Sequence, residues 1–494
     1  MLKSINKAKK IFPSYLIFIL IPLNLFYSGS YAQTIPQKIV VSPNKRFLQY
    51  ETGTPFLWQG DTAWHLFNKL TREEAKQYLR NRAVKGFNVI QCMVIPHLPL
   101  TNIYGDSAFI NSNPLEPLVT SGNNYEDTDQ YDYWDHINFI IDEAARNNIY
   151  VALVPIWGSV VKSSKFTVTQ MEKYAGWLAS MMKCKANIFW INGGDIRGDI
   201  KPEIWTAMGN TLRKTDPSHL ITFHPFGRTQ SSTWFHNAEW LDFNMFQSGH
   251  RAYDQRKGDG AESWKGEDNW RYVLEDLALR PQKPTLDGEP SYENIPKGLH
   301  DTTQPYWQAG DCRRYMYWSL FAGSLGHTYG DNAVMQFYKP ADTKPAYGAK
   351  NFWYEAIDDS GSFQICYATK LLLSRPFFER VYDSTLVINQ GTRYNFIITA
   401  RGNDYLFAYT YTGREFKIKM GHISGSKVKA WWYNPRNGIA QLIGTIKNSG
   451  INLFTPPGKE ENGNDWVLVL DDTSKKFPIP GAANLSDNKS CRIE

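Results

Sequence analysis

The sequence predicts an α/β fold, a (β/α)8 TIM barrel followed by a small all-β sandwich domain. Three observations lead to this prediction. Apolar, strand-like runs alternate with amphipathic helical patterns between about residues 55 and 330. Eight such runs occur there, which is the number of strands in this kind of barrel. After about residue 380 the pattern changes to short β-rich segments separated by turn signals.

The predicted barrel strands share an apolar stretch that ends in glycine or a polar residue. They are residues 56–61, 87–95, 150–157, 188–195, 219–224, 241–247, 284–289 and 324–329. The helical patterns between them lie at about 71–85, 135–147, 169–183, 204–216, 269–279 and 307–321. Capping boxes open two of these helices, one formed by Thr71 and Glu74 and the other by Thr169 and Glu172.

The later strands are predicted at residues 393–400, 405–411, 428–433 and 465–470. The segments 434–438 and 456–458 carry the turn signals between them. These patterns give four regions, which are a signal peptide at 1–32, the barrel at 33–375, the sandwich at 380–480 and a tail at 481–494. Two long connections, 96–134 and 248–268, follow strands and are expected to wall a substrate cleft.

The first 32 residues have the pattern of a cleaved secretory signal. A basic start at Lys3, Lys7, Lys9 and Lys10 precedes an apolar stretch, and the small residues Ser30 and Ala32 fit a cleavage site. The alternative is a membrane anchor, but Pro13, Pro22 and Asn24 interrupt this short stretch. The sequence therefore predicts an exported protein, periplasmic or extracellular, with no membrane segment after cleavage.

Charge and cysteine content exclude other classes. The 494 residues carry 54 basic and 48 acidic side chains, without a dense basic block outside the leader, which argues against nucleic-acid binding. The five cysteines are widely spaced and form no CxxC pair. Histidines stand singly, and no HExxH motif is present. We expect no cofactor, no catalytic metal, no protease activity and a monomeric protein.

Two predicted strands end in a carboxylate. Asp195 follows the fourth, after the apolar run 188–191 and two glycines, and Glu289 follows the seventh and precedes a proline. The active sites of TIM-barrel enzymes lie at the carboxyl ends of the barrel strands. One carboxyl that is kept protonated and one that is ionised can together cleave a glycosidic bond. We therefore assign Asp195 as acid/base and Glu289 as nucleophile.

Each assignment has an alternative. An acidic residue after a strand is often a helix cap or an ion-pair partner. Asp199 is a rival to Asp195, and Asp287 is a rival to Glu289 for which a supporting role is expected.

Other polar and aromatic residues end predicted strands and are candidates for contacts with sugar. They are Asp61, His97, Trp157, His224, Gln247 and Tyr329. The five other than Trp157 can form hydrogen bonds with hydroxyl groups, and Trp157 offers a ring for stacking. The alternative for about half of them is an ordinary loop or core role.

Several motifs resemble one family. The segments FLWQGDTAWH at 56–65, NGGD at 192–195 and DGEP at 287–290 resemble the apiosidase-like barrel glycosidases, glycoside hydrolase family 140. The segments WYNPRNG at 432–438, FTPP at 454–457 and DWVLVLD at 465–471 resemble the collagen-binding-type β domain that accompanies that barrel.

The resemblance implies an exported bacterial enzyme that cleaves plant pectin at apiose residues, with Asp195 and Glu289 as the catalytic pair. In one respect the chain departs from the wider clan, because Gly-Gly-Asp replaces the usual Asn-Glu at the fourth strand. Two alternatives stay open. One is a glycan- or collagen-binding protein with an inert barrel, and the other is a glycosidase that acts on a different sugar.

Overall fold

The computed structural model describes residues 36–482. The predicted signal peptide and nearly all of the predicted tail, residues 483–494, lie outside this range. Within it, no helix has the length and apolar character needed to cross a membrane.

Eight parallel strands form the central sheet, and three short antiparallel strands precede it, β1 (Ile39–Val41), β2 (Leu48–Tyr50) and β3 (Pro55–Phe56). The barrel strands are β4 (Trp58–Thr62), β5 (Val89–Met93), β6 (Tyr150–Val154), β7 (Ile188–Ile196), β8 (Ile221–Pro225), β9 (Asn244–Phe246), β10 (Thr285–Asp287) and β11 (Gly326–Tyr329). Their order in the sheet is β8-β7-β6-β5-β4-β11-β10-β9. Each overlaps a predicted strand, so the barrel prediction is confirmed.

The two edges of this sheet, β8 and β9, come together and almost close the barrel. The hydroxyl of Thr222 on β8 donates a hydrogen bond of 2.7 Å to the carbonyl of Phe243, which immediately precedes β9. The interior is filled by aromatic side chains, with the ring of Trp58 4.9 Å from Phe189 and 6.1 Å from Phe243. The barrel is therefore packed solid, and ligands have access only at its ends.

Helices surround the barrel. They are α1 (Leu66–Lys69), α2 (Arg72–Val84), α3 (Tyr133–Arg146), α4 (Gly158–Ser163), α5 (Val168–Met182), α6 (Pro202–Thr215), α7 (Ser232–Phe235), α8 (Trp270–Ala278), α9 (Ala309–Ala322), α10 (Asn332–Met335), α11 (Trp353–Ala356) and α12 (Ser360–Leu373).

The start of α2 confirms the predicted capping box, because Thr71 accepts from the backbone of Glu74 and Glu74 accepts in return. The box predicted at Thr169 is wrong. Helix α5 is capped two residues earlier, where Thr167 and Gln170 make the reciprocal bonds. A glutamine serves the second position of this motif as well as a glutamate does, and Thr169 is left in the first turn.

The C-terminal region is a β domain of two antiparallel sheets. Its strands are β12 (Val381–Tyr382), β13 (Ile398–Arg401), β14 (Tyr405–Thr410), β15 (Phe416–Lys419), β16 (Lys427–Tyr433), β17 (Ala440–Lys447), β18 (Ile451–Phe454) and β19 (Trp466–Asp472). Six form one sheet in the order β12-β13-β14-β19-β16-β17, and β15 pairs with β18. One face of the larger sheet packs on the smaller through residues such as Trp432 and Phe416.

The other face of the larger sheet packs against barrel helices. Tyr409 on β14 stacks on Tyr317 of α9, with ring centroids 4.8 Å apart and planes 5° apart. Asp465, next to β19, receives two hydrogen bonds from Arg313 of α9, at 2.9 and 2.7 Å. Breaking a buried pair of this kind costs about 3–5 kcal/mol. The barrel and the β domain thus share one hydrophobic core.

Candidate active site

Asp195 stands on a bulge near the end of β7. The backbone of Gly193, Gly194 and Asp195 has positive φ at three consecutive residues, 87°, 111° and 46°. The register with β8 shifts there, so that Gly193 pairs with His224 while Ile196 pairs with the very next residue of β8. Asp195 is exposed, whereas the rest of β7 is buried. The bulge therefore turns the carboxylate out of the sheet at the carboxyl end of the barrel.

Both glycines of the bulge are required by space as well as by backbone angle. A Cβ atom at Gly193 would lie 2.7 Å from the carbonyl oxygen of His224. A Cβ atom at Gly194 would lie 2.5 Å from the ring of Trp157. The Gly-Gly-Asp sequence is thus the local cause of the position of Asp195, since larger residues could not make this turn.

Gly194→Ala is expected to lower kcat/KM by much more than it lowers stability. The strain of a non-glycine residue at this φ is worth about 1–3 kcal/mol. Relief of the contact with Trp157 would also move Asp195, and small displacements of a catalytic group are costly. Activity and thermal unfolding measured side by side check this, with Gly53→Ala as a control because Gly53 has a φ of 92° and an open environment. Equal activity in Gly194→Ala and the control would contradict this account.

Glu289 lies two residues beyond β10 and is buried, with 7% of its surface exposed. His250 holds one carboxylate oxygen through Nε2 at 2.9 Å. Nε2 of His224 lies 3.1 Å from the other oxygen, within ion-pair distance but outside good hydrogen-bond angles. Two imidazole rings thus fix the orientation of the Glu289 carboxylate.

His224 connects the two carboxylates. The backbone N–H of Asp195 donates to its Nδ1 at 3.2 Å, so this nitrogen carries no hydrogen. The ring hydrogen must then be on Nε2, which faces Glu289. The bulge that positions Asp195 therefore also sets the tautomer that His224 presents to Glu289.

The environment shifts the two carboxyl groups in opposite directions. Burial alone would raise the pKa of Glu289, but the contacts from His224 and His250 outweigh it and lower this pKa to about 2. Burial and the negative charge of Glu289 raise the pKa of Asp195 to about 6. The side chain of Asp195 still touches solvent, so its loss of hydration is partial. One group is thus kept ionised and the other is readily protonated.

Aromatic side chains line the site beside His224. The rings of Trp64 and Trp157 lie 5.0 Å apart, and Trp64 packs edge-on against His224 at 5.4 Å. The indole N–H of Trp64 donates to the hydroxyl of Tyr292 at 3.2 Å. Trp157 is half-buried, so part of its ring is accessible for stacking on a sugar.

Two tyrosines near the carboxylates were missed by sequence reasoning. The ring of Tyr292 lies 4.6 Å from His250. Burial, followed by the negative charges of Asp195 and Glu289, raises the pKa of Tyr347, which shows that this half-buried residue is near both. Tyr292 follows Glu289 by three residues and could have been suspected for that reason. No sequence signal marks Tyr347.

The remaining predicted residues are placed differently. Gln247 is buried at the end of β9, and its amide lies beside Gly227, whose backbone N–H interacts with the Asp195 carboxylate. His97 is exposed on the loop after β5 and contacts the carbonyl of Pro99 at 2.8 Å. The structure therefore brings Gln247 near the carboxylate pair and leaves His97 in a loop contact.

Asp61 and Tyr329 are held by buried partners within the protein. Asp61 is fully buried, at 2.5 Å from Arg82 and 2.6 Å from the hydroxyl of Tyr78, both on α2. Tyr329 is opposite Asp61 in the sheet register, and its hydroxyl donates to the buried Glu293 at 2.6 Å. This placement gives no support to the predicted sugar contacts, because protein side chains already hold the polar groups of both residues.

The two rival carboxylates also have other partners. Asp287 accepts hydrogen bonds from the hydroxyl of Ser248 at 2.7 Å and from Asn269 at 2.9 Å. Asp199 is exposed and pairs with Arg197 at 2.9 Å.

Across residues 36–482, no group of three or more His, Cys, Asp or Glu side chains is arranged to hold a metal ion.

Two family models together match most of the chain. A family model described as "Apiosidase-like, catalytic domain" matches residues 42–379. A second one, described as "Putative collagen-binding domain of a collagenase", matches residues 381–471. Among curated proteins, no sequence matches the chain.

Two solved structures are similar over nearly the whole chain. One, described as a glycoside hydrolase, is 46% identical, with a TM-score of 0.85 and coverage of 90% of this chain and 99% of that one. The other, a glycoside hydrolase family 5 structure from Bacteroides vulgatus ATCC 8482, is 42% identical, with a TM-score of 0.85 and coverage of 92% and 98%. With its barrel, its carboxylate pair and these matches, the chain belongs to the apiosidase-like glycoside hydrolases and acts on a carbohydrate.

Proposed function

We propose that this glycoside hydrolase cleaves pectin of the plant cell wall at apiose residues, by a retaining mechanism that uses two carboxylates. Asp195 is the general acid and base, and Glu289 is the nucleophile. The observation that carries the assignment of roles is the pair of histidines on Glu289, which hold it as an anion. Within residues 36–482, no basic side chain lies within ion-pair distance of Asp195, and burial and the charge of Glu289 raise the pKa of this carboxyl.

The proposed reaction has two steps. In the first, Asp195 donates its proton to the leaving oxygen while Glu289 attacks the anomeric carbon, and the glycosidic bond is replaced by a bond to Glu289. In the second, the ionised Asp195 takes a proton from water, whose oxygen displaces Glu289. The hydrogen bond from His250 keeps the attacking carboxylate oriented throughout.

The choice of apiose is supported by the description of the family that matches the barrel, and pectin is proposed only from the resemblance of the sequence motifs. The test is a product screen on pectic oligosaccharides, with wild type and Glu289→Gln in parallel and proton NMR of the first anomer formed. Release of apiose-linked fragments with retained configuration supports the proposal. Cleavage of other sugars only would contradict the apiose assignment, and an inverted first product would contradict Glu289 as nucleophile.

We also propose that the protein is exported after cleavage behind Ala32 and acts as a monomer. The basic and apolar pattern of residues 1–32 supports export. Sequencing of the N-terminus of secreted protein and light scattering of the purified chain test the two statements. A retained leader, or the mass of a dimer, would overturn the corresponding one.

The pH profile of kcat/KM follows from the two shifted carboxyl groups. Asp195 must be protonated, so activity should fall as the pH rises through about 6. Glu289 must be ionised, so loss on the acid side should begin only near pH 2. Initial rates with one substrate at constant ionic strength check this. A profile that does not fall when the pH rises well past 6 would contradict Asp195 as the acid.

A further inference from the structure

A cavity of about 500 Å³ lies between the barrel and the β domain. None of its lining residues belongs to the carboxylate pair or its histidines. One wall comes from the N-terminal part of α9 and the loop before it, and the other from four connections of the β domain. Its size is in the range of pockets that bind small ligands.

Two cationic side chains of this cavity have no acidic partner. The guanidinium of Arg436 donates to the side-chain oxygens of Asn434 and Asn464, both at 2.9 Å, which are neutral acceptors. The ammonium of Lys297 lies 4.5 Å from the ring centroid of Trp307. Among residues 36–482, neither cation has a carboxylate within ion-pair distance. Both charges therefore remain available to a ligand.

The two carboxylates that line the cavity differ in whether a partner compensates their charge. Asp311 accepts from the hydroxyl of Tyr411 at 3.0 Å and lies 3.6 Å from Arg314, so its charge is compensated. Glu461 is exposed at the rim, and no side-chain partner holds it within the described part of the chain. A ligand that fits would offer a carboxylate to the cations and hydroxyl groups to Glu461.

Two tyrosines of the lining present rings rather than hydroxyl groups. The hydroxyl of Tyr394 donates to Glu267 at 2.8 Å, and that of Tyr411 is held by Asp311. Ring surface next to cations and a free hydrogen-bond acceptor is the combination that suits a sugar bearing a carboxylate.

We propose that this cavity is a second carbohydrate site, which binds a uronic acid unit through Arg436 and Lys297. The inference rests on the proposed function only in taking the ligand to be a carbohydrate. The site is close to the catalytic centre, because the indole of Trp307, on which Lys297 lies, donates at 3.1 Å to the backbone oxygen of His250. An acidic chain long enough to reach from one to the other would occupy both places.

The test is calorimetric titration of the full chain carrying Glu289→Gln, which keeps the ligand intact. The probes are an oligogalacturonide, the same oligosaccharide with its carboxyl groups reduced, and inorganic phosphate. We expect the acidic sugar to bind more tightly than the reduced one. Lys297→Gln and Arg436→Gln should each weaken it about tenfold or more, because charge-assisted hydrogen bonds are lost.

Lys419→Gln is the matched control, since Lys419 is exposed on β15 and the change removes the same charge. Its affinity should equal that of the parent. Thermal unfolding of each variant separates binding from folding. Arg436 supports a turn, so Lys297→Gln, which removes only a ring contact, decides the question if Arg436→Gln is unstable.

Equal affinity for the acidic and reduced sugars would overturn the inference, and so would unchanged binding in both cavity variants. Competition by phosphate as strong as by the sugar would reduce the cavity to a general anion site and overturn the carbohydrate assignment. Charge-dependent binding without hydrolysis of any glycan by wild type would sink the proposed function and leave this inference standing. Hydrolysis of pectic fragments without charge-dependent binding at the cavity would overturn this inference and leave the proposed function standing.

Discussion

Glu289→Gln is expected to lower kcat/KM by about 10⁶-fold, the order of effect seen when a catalytic nucleophile is removed. The amide is close in shape to the carboxylate but cannot attack the anomeric carbon. The buried site also loses the negative charge that His224 and His250 surround. We therefore expect a folded protein with almost no turnover, as measured by initial rates and thermal unfolding.

Glu289→Ala with added azide distinguishes a nucleophile from a supporting residue. Azide can enter the vacated space and attack in place of the carboxylate, which gives a glycosyl azide of inverted configuration. Glu262→Gln serves as the control, because Glu262 is an exposed carboxylate that pairs with Arg197. Activity of Glu289→Gln close to that of this control would exclude Glu289 as nucleophile.

Asp195→Asn is expected to lower kcat by about 10²–10⁴-fold on a natural glycoside, which is the usual contribution of general acid catalysis. The loss should nearly vanish for the first step with a dinitrophenyl leaving group, which departs without a proton. This dependence on the leaving group is specific to an acid and would not arise from a structural defect. Rates with matched sugar glycosides of good and poor leaving groups measure it.

The neighbouring carboxylate supplies the control for this second experiment. Asp199 is exposed and paired with Arg197, so Asp199→Asn should retain nearly full activity with both leaving groups. If Asp199→Asn instead shows the dependence on the leaving group while Asp195→Asn does not, the acid has been assigned to the wrong residue.

The positions of barrel strands such as β5, β6 and β7 could be predicted because each contains a short apolar run. In β7 the run at 188–191 is followed by Asn192, two glycines and a carboxylate, which disfavour a helix there. The carboxylate pair was accessible to sequence reasoning for the same reason, since carboxyl ends of parallel strands meet at one end of a barrel.

The direction of individual side chains could not be predicted from the sequence. Asp61 and Tyr329 end their predicted strands in the same way as His224 does, yet Asp61 bonds to α2 and Tyr329 bonds to the buried Glu293. Which face a strand residue takes depends on the register of the closed sheet, and a single sequence does not specify it. The contact from the Asp195 backbone through His224 to Glu289 could not be predicted either, because it arises from the shift in register at the bulge.

The shared core of the barrel and the β domain sets how a long ligand can gain affinity. A binding domain on a flexible linker lies at many distances from the catalytic domain, so the affinity for an oligosaccharide rises gradually as sugar units are added. In this protein the stacking of Tyr317 on Tyr409 holds the barrel and the β domain at one fixed distance. Oligomers too short to bridge the interdomain cavity and the cleft should bind at either place alone, and avidity should rise sharply at the first length that spans both.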